Sequence, residues 1–282
     1  MLKRIDPYKV LVDIGPVQMS IWAGRKGEPL GREWRKLENL VKEWLADIRR
    51  YLPEVKKPWP QLNDLAEYNR VVQKMHAAVR DTGDPSLTSM AAVAGTLAGM
   101  TCEYLVYKGA TKVLVNNGGD LAIFLGKEEK TKVGIVPRLG VAPSHYLEVK
   151  GGSKIGGVAT SGRGGRSFTL GIADAAVAIA ARPEVADACA TVLGNAVNVD
   201  SVLIERRPAR EIDPDTDIPR LLVTTAVAPL SVELRTEALD RGLQRARRLV
   251  QDKLLLGAVL FLNGDMRQYP EDLVRPVTAS GS

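Results

Sequence analysis

Apolar and polar positions alternate with a period of two near the start of the chain. Val10, Val12 and Ile14 are interleaved with Leu11 and Asp13, and Gly15-Pro16 then leads into residues 18–23. This pattern predicts an opening β-hairpin. From Trp34 the apolar spacing lengthens to three and four, through Leu37, Val41, Trp44, Leu45, Ile48 and Leu52. The opposite face carries Lys36, Glu38, Lys42, Glu43 and Arg49. An amphipathic helix over 34–52, stopped before Pro53, is expected. Beyond a proline-broken connector at 53–60, the positions Leu62, Leu65, Val72, Met75 and Val79 predict a second helix that ends at 81–85. A third helix over 85–108 differs at its centre, where Met90, Ala91, Ala92, Val93, Ala94, Gly95, Thr96, Leu97, Ala98 and Gly99 run together. Side chains this small admit a second backbone or a ligand at close range, so tight helix-on-sheet packing and ligand contact both satisfy the composition.

The period returns to two at Val113 and Val115, followed by Asn116, Asn117, Gly118, Gly119 and Asp120 and then by residues 121–125. A strand, a glycine-containing turn and a second strand are predicted. Strand-like runs follow at 132–136 and 145–149. Residues 151–171 then contain eight glycines, at 151, 152, 156, 157, 162, 164, 165 and 171. That density disfavours a helix and permits positive φ and exposed amides. A strand at 175–181 precedes Pro183, which suits the first turn of a helix over 183–194. The last third predicts a polar loop at 206–217, a strand at 221–228, a basic helix near 233–253 and a final apolar strand at 254–262. No repeat or linker divides the 282 residues, so a single domain over 1–282 is expected.

Composition narrows the function classes. Apolar residues make up 45% and charged residues 26%, which predicts a folded core rather than a disordered or fibrous chain. Lys and Arg number 39 against 33 Asp and Glu, a difference of +6 spread along the sequence, which suits a small anionic ligand. Cys102 and Cys189 are too few for a disulfide framework or a four-thiolate metal site and point to a reducing compartment. With no apolar run after Lys3, Arg4 and Lys9, a cytoplasmic protein is expected. The apolar run at 254–262 is only nine residues long, too short for a bilayer span, and no membrane partner is expected. Two histidines, His76 and His145, exclude a histidine-rich zinc site. The available chemistry therefore rests on carboxylates, hydroxyls and backbone groups, with or without a metal ion.

Gly162, Arg163, Gly164, Gly165, Arg166 and Ser167 nearly match the dinucleotide fingerprint G-x-G-x-x-G. That fingerprint must open a helix. The continuation at 168–171 reads as a strand, so a Rossmann site is rejected. A hairpin tip remains, with hydroxyls from Thr160 and Ser161 and guanidinium groups from Arg163 and Arg166; it is either an anion cradle or a plain surface loop. Asp187 and Thr191, four residues apart, share one helical face. Their oxygens suit a hard cation such as Mg²⁺, and the same spacing serves exposed or capping roles. Asp213, Asp215 and Asp217 lack the Gly and Glu of an EF-hand loop and read as a structural turn at Pro214. Arg241, Arg245, Arg247, Arg248 and Lys253 read as a solvated basic face, so a nucleic-acid partner is not expected.

Three segments in order carry more information than any one: Val115-Asn116-Asn117-Gly118-Gly119-Asp120, Val158-Ala159-Thr160-Ser161-Gly162 and Ala186-Asp187-Ala188-Cys189-Ala190-Thr191. In these the chain resembles the ApbE superfamily, whose best-known members are FAD:protein FMN transferases, and is nearer to its uncharacterised ApbE-like branch. The run 211–217 shares that likeness, and the core resemblance covers about residues 89–225. It implies an α+β fold with T-fold-like antiparallel sheets flanked by helices. By resemblance Asp187 and Thr191 become candidate Mg²⁺ ligands, with the Ala190 carbonyl as a further donor. Gly118, Gly119, Asp120, Thr160, Ser161 and Gly162 become the border of a flavin nucleotide, FAD or FMN.

Departures from that family qualify the implied reaction. The transferases follow their Thr-Ser-Gly strand with His-x-x-Asp-Pro, whereas residues 167–174 contain neither histidine nor proline. Ala94-Gly95-Thr96 also lacks the lysine of their Gly-Lys-Gly segment. The expectation is a protein that binds a flavin or related nucleotide with Mg²⁺ and either cleaves its pyrophosphate or transfers FMN. The alternatives are an enzyme on the same scaffold acting on another small anionic metabolite and a non-catalytic binding module. A homo-oligomer is compatible with each.

Overall fold

The computed structural model describes all residues except 31–33, 63–64, 139, 166 and 278–282. In chain order the first elements are β1 (Leu2–Arg4), β2 (Lys9–Ile14), β3 (Val17–Arg25), β4 (Glu28–Pro29), α1 (Trp34–Arg50), α2 (Leu52–Val55), α3 (Arg70–Asp81) and α4 (Val93–Tyr107). They are followed by β5 (Lys112–Asn117), β6 (Asp120–Leu125), β7 (Lys130–Ile135), β8 (His145–Lys150), β9 (Gly157–Ser161), β10 (Ala175–Ala180) and α5 (Pro183–Ala196). The chain closes with β11 (Ile204–Pro208), β12 (Leu222–Val227), α6 (Val232–Gln251), β13 (Gly257–Leu262), β14 (Asp265–Tyr269) and β15 (Arg275–Pro276). Helices and antiparallel strands mix as the α+β reading predicts.

The described chain forms two compact units. The first comprises Met1–Glu129, Gly151–Ala159 and Ala180–Cys189, and the second Lys130–Lys150, Thr160–Ile179 and the chain from Ala190 onward. In the first unit β1, β2, β3, β5, β6 and β9 pair in that order, and β4 adds to β3. The predicted opening hairpin is present with Val10 opposite Ile21 and Val12 opposite Met19, so that all four side chains bury on one face. Helix α4 lies on β5 and β6, with α1 and α3 beside it. Its small side chains are those of a core helix, and Gly95, Thr96, Ala98, Gly99 and Thr101 are all buried. Among the described residues one helical stretch, Ser89–Tyr107, is long and apolar enough to cross a membrane, with 19 residues and a mean hydropathy of 1.2. In this fold its apolar surface is spent on the sheet and on neighbouring helices.

Local chemistry moves several predicted boundaries. The second predicted helix begins only at Arg70, because residues 65–67 form a separate short 3₁₀ turn before it. The third begins as a 3₁₀ turn at Ser89–Ala92, where the Thr88 hydroxyl accepts from the Met90 amide, before α4 proper starts at Val93. Residues 168–171 are not a strand; they belong to a loop.

In the second unit β10, β13 and β14 form an antiparallel ladder against which α6 packs, and β15, β8 and β7 form a second sheet. Strands β11 and β12 pair with each other, with an irregularity between Glu205 and Arg206. The Asp213 carboxylate accepts the Asp215 amide at 2.9 Å, which makes the acidic run the turn expected of it.

Candidate functional site

The start of α4 is where the first unit concentrates its polar chemistry. Gly95 is forced by packing: a Cβ there would stand 2.4 Å from the Pro183 carbonyl oxygen and 2.7 Å from the Asp187 Cβ. Helices α4 and α5 therefore touch backbone to backbone, which resolves the small-residue run in favour of close packing at this point. Glu184, only 2% exposed, fixes the same approach through Lys74 at 3.2 Å, and Lys74 also meets Glu103 at 2.8 Å.

Ala92 occupies the N-cap of α4 and offers no side-chain acceptor. The Asp187 carboxylate supplies one from another helix. It accepts the Gly95 amide at 2.8 Å, and the Ala94 amide also donates to it. Two of the four orphan donors of a helix start are thereby satisfied by a residue of α5. Burial holds the Asp187 carboxyl well above the usual carboxylate range, and the nearby Asp120 carboxylate pushes it further up, against the pull of the two amides.

Asp120 arrives from the β5–β6 turn. It opens β6 directly opposite Asn117, the last residue of β5. Gly118 and Gly119 form the turn with φ of +71° and +118°, and the Asn116 side-chain oxygen accepts the Gly119 amide at 2.9 Å. Asn117, 7% exposed, donates from Nδ2 to the Ala94 carbonyl at 3.2 Å. Asn117 and the Ala94 and Gly95 amides join this cluster, and the motif reading gave none of them a role. The available signal was the small-residue run, which marked a close approach without naming the partner.

The Thr160 to Gly162 segment belongs to the second unit. Thr160 is exposed, Ser161 half-buried, and Gly162 takes φ of +135° with the Ala173 and Asp174 carbonyls where a Cβ would stand. Ser161 lies against Gly194 near the end of α5. The following loop is pinned from several sides. The Asn195 side-chain oxygen accepts the Leu170 amide at 2.9 Å, the Ile172 amide donates to Val197, and Gly171 sits where any side chain would strike the α5 carbonyls. Arg163 pairs with Asp174 at 2.9 Å, so its guanidinium is already engaged by a carboxylate. Arg166, the other guanidinium of the anion cradle, lies outside the described residues. Thr191 is half-buried one turn beyond Asp187 on α5, and Ala190 is 1% exposed.

Among the described residues no group of three or more His, Cys, Asp or Glu side chains is placed to hold a metal ion. A cation here would need hydroxyl and carbonyl oxygens beside the carboxylates.

The architecture is similar to that of the ApbE protein from Thermotoga maritima, with a TM-score of 0.54 over 93% of this chain and 96% of that one at 13% identity. It is likewise similar to the flavin transferase ApbE from Vibrio cholerae, with a TM-score of 0.52 over the same shares at 9% identity. At such identities the likeness is one of fold. The family model described as AbpE bacteria matches residues 3–268, and the chain belongs to that family, within the ApbE superfamily. Similar sequences include the UPF0280 protein of Methanothrix thermoacetophila, 43% identical over 117 residues, 41% of this chain and 48% of that protein. The UPF0280 protein of Archaeoglobus fulgidus is 37% identical over 130 residues, 45% of this chain and 50% of that protein. The chain spans about half the length of the curated relatives it matches.

Proposed function

We propose that this protein binds a flavin nucleotide, FAD, together with Mg²⁺ and hydrolyses its pyrophosphate to FMN and AMP. The observation that carries the reading is the approach of Asp120 to Asp187 at the start of α4, where the Asp120 carboxylate adds to the cost of charging the buried Asp187. A divalent cation would ease the charging of two carboxyl groups held close, and carboxylates with a hydroxyl are the hard donors Mg²⁺ prefers. In this reading Asp187 and Thr191 hold the ion with the Ala190 carbonyl, which keeps a second lone pair inside the helix. Bound there, Mg²⁺ supplies neutralisation of pyrophosphate charge.

The chain's own groups do the rest. Gly119 keeps backbone open beside Asp120, since no described residue stands within 4 Å of where its Cβ would be. Thr160, Ser161 and Gly162 offer hydroxyls and a side-chain-free backbone to the nucleotide. Water is the acceptor in this reading, because residues 167–174 lack the histidine and proline that shape the protein-acceptor side in the transferases. The likeness in fold to the flavin transferase from Vibrio cholerae supports the ligand class.

Calorimetry of FAD in Mg²⁺ and in EDTA, followed by chromatography of the products, tests the reading. Binding tighter with Mg²⁺ and release of FMN and AMP are expected, and Asp187→Asn should abolish the Mg²⁺ dependence. No binding of FAD or FMN in either buffer would remove it. The missing acceptor segment also favours a second reading, a pocket rebuilt for another small anionic metabolite. Identification of ligands retained through purification separates the two, and recovered FAD counts against the second.

A further inference from the structure

We infer that Asn117 is a positioning residue for the Asp187 carboxylate, acting through the first turn of α4. The inference rests on the cation reading for its consequence and on geometry for its substance. Asp187 is held by the Ala94 and Gly95 amides, so its oxygens stand wherever that turn stands. A helix start is the least constrained part of a helix, since its first amides have no partner within it. Here the N-cap residue is Ala92, which cannot fix the turn from below. Asn117 does so from the sheet: its Nδ2 donates to the Ala94 carbonyl at 3.2 Å. One residue thus has its amide bound by Asp187 and its carbonyl bound by Asn117.

The same asparagine ends β5 opposite Asp120. Asn117 therefore ties the strand end that presents one carboxylate to the helix turn that holds the other. A side chain without a donor at this place would leave both carboxylates present while removing the strut between them. Nothing in the motif reading assigns Asn117 this role, because its partner lies 23 residues away and is a backbone oxygen.

The test compares wild-type full-length protein with Asn117→Leu, Asn117→Asp and the milder Asn117→Ser. The first readout is amide hydrogen exchange at Ala94 and Gly95, with the last turn of α4 as internal reference. Loss of Asn117 is expected to speed exchange at these two amides by about fivefold, the equivalent of one ordinary hydrogen bond, with the reference amides unchanged. Equal exchange in all variants overturns the inference. The second readout is Mn²⁺ affinity by calorimetry with the thermal midpoint measured in parallel. Asn117→Leu is expected to weaken Mn²⁺ by about tenfold, and Asn117→Asp is expected not to restore it. Wild-type affinity in Asn117→Leu, or tighter binding in Asn117→Asp, overturns the positioning role, the latter by making residue 117 a ligand. Absence of Mn²⁺ binding by the wild type removes the cation reading, and the exchange measurement still decides the strut.

Discussion

His76 shows what burial does to one titratable group. It is 4% exposed, its Nδ1 has no hydrogen-bond partner among the described residues, and its ring meets Trp59 edge to face at 6.5 Å. Burial, and after it the Arg80 charge, lowers its pKa below the ordinary value. The unfolded chain therefore binds the proton first. Stability is fully present above about pH 6.5 and is lost as the pH falls through the lowered folded value. The urea midpoint should fall between pH 7.5 and 5.5, and His76→Phe should flatten that dependence; an equal slope in both proteins would refute the assignment. Single residues were unevenly legible in the sequence. Asp187 stands out because Ala-Asp-Ala-Cys-Ala-Thr is an unusual string. Asn117 does not, since a side chain that bonds to a distant carbonyl leaves no mark in local spacing.

Helices and strands were read most securely where one physical signal governed them. The α1 stripe survives as the helix Trp34–Arg50, because amphipathic spacing is itself the cause of its burial, and the expected basic helix is present at Val232–Gln251. The reading failed where competing turns intervened, as at residues 65–67, or where a glycine-rich segment was fixed by distant partners. Residues 168–171 looked like a strand from their apolar content, yet Asn195 and Val197 at the end of α5 hold the surrounding loop instead. The α4–α5 contact gives the sharpest expectation at this scale. Gly95→Ala would drive a methyl group into the Pro183 backbone, which α5 cannot relieve by a rotamer change. A loss of roughly 1–3 kcal/mol is expected from such overpacking, measured by denaturant unfolding, with Gly119→Ala as a contrast that meets no neighbour and strains only its φ. An unaltered midpoint for Gly95→Ala would show that the helices part without cost.

The charge of the whole chain has little directional consequence. Part of the basic complement behind the +6 excess faces acids of its own. Arg235 meets Asp265 at 2.7 Å, Arg241 meets Glu237 at 2.6 Å, and Arg267 stands 3.7 Å from Asp240. Exposed pairs of this kind add little stability, but they set Glu237 and Asp240 among the basic groups of α6. Retention on heparin should be weak and lost at low salt; strong retention with a steep salt slope would reinstate a polyanion partner. The fold class was visible from the order of three separated motifs, whereas the division into two units was not, because no linker composition marks where one packed group of elements ends.

The carboxylate that seals α4 comes from a residue 92 positions downstream of the amide it binds. A nascent chain that has emerged only as far as β10 already contains every residue of α4, but not the carboxylate that accepts its opening amides. That end of the helix closes only after α5 has been synthesised and docked. The chemistry proposed for this protein thus depends on a long-range contact, whose loop-closure entropy must be met before the contact returns any stability.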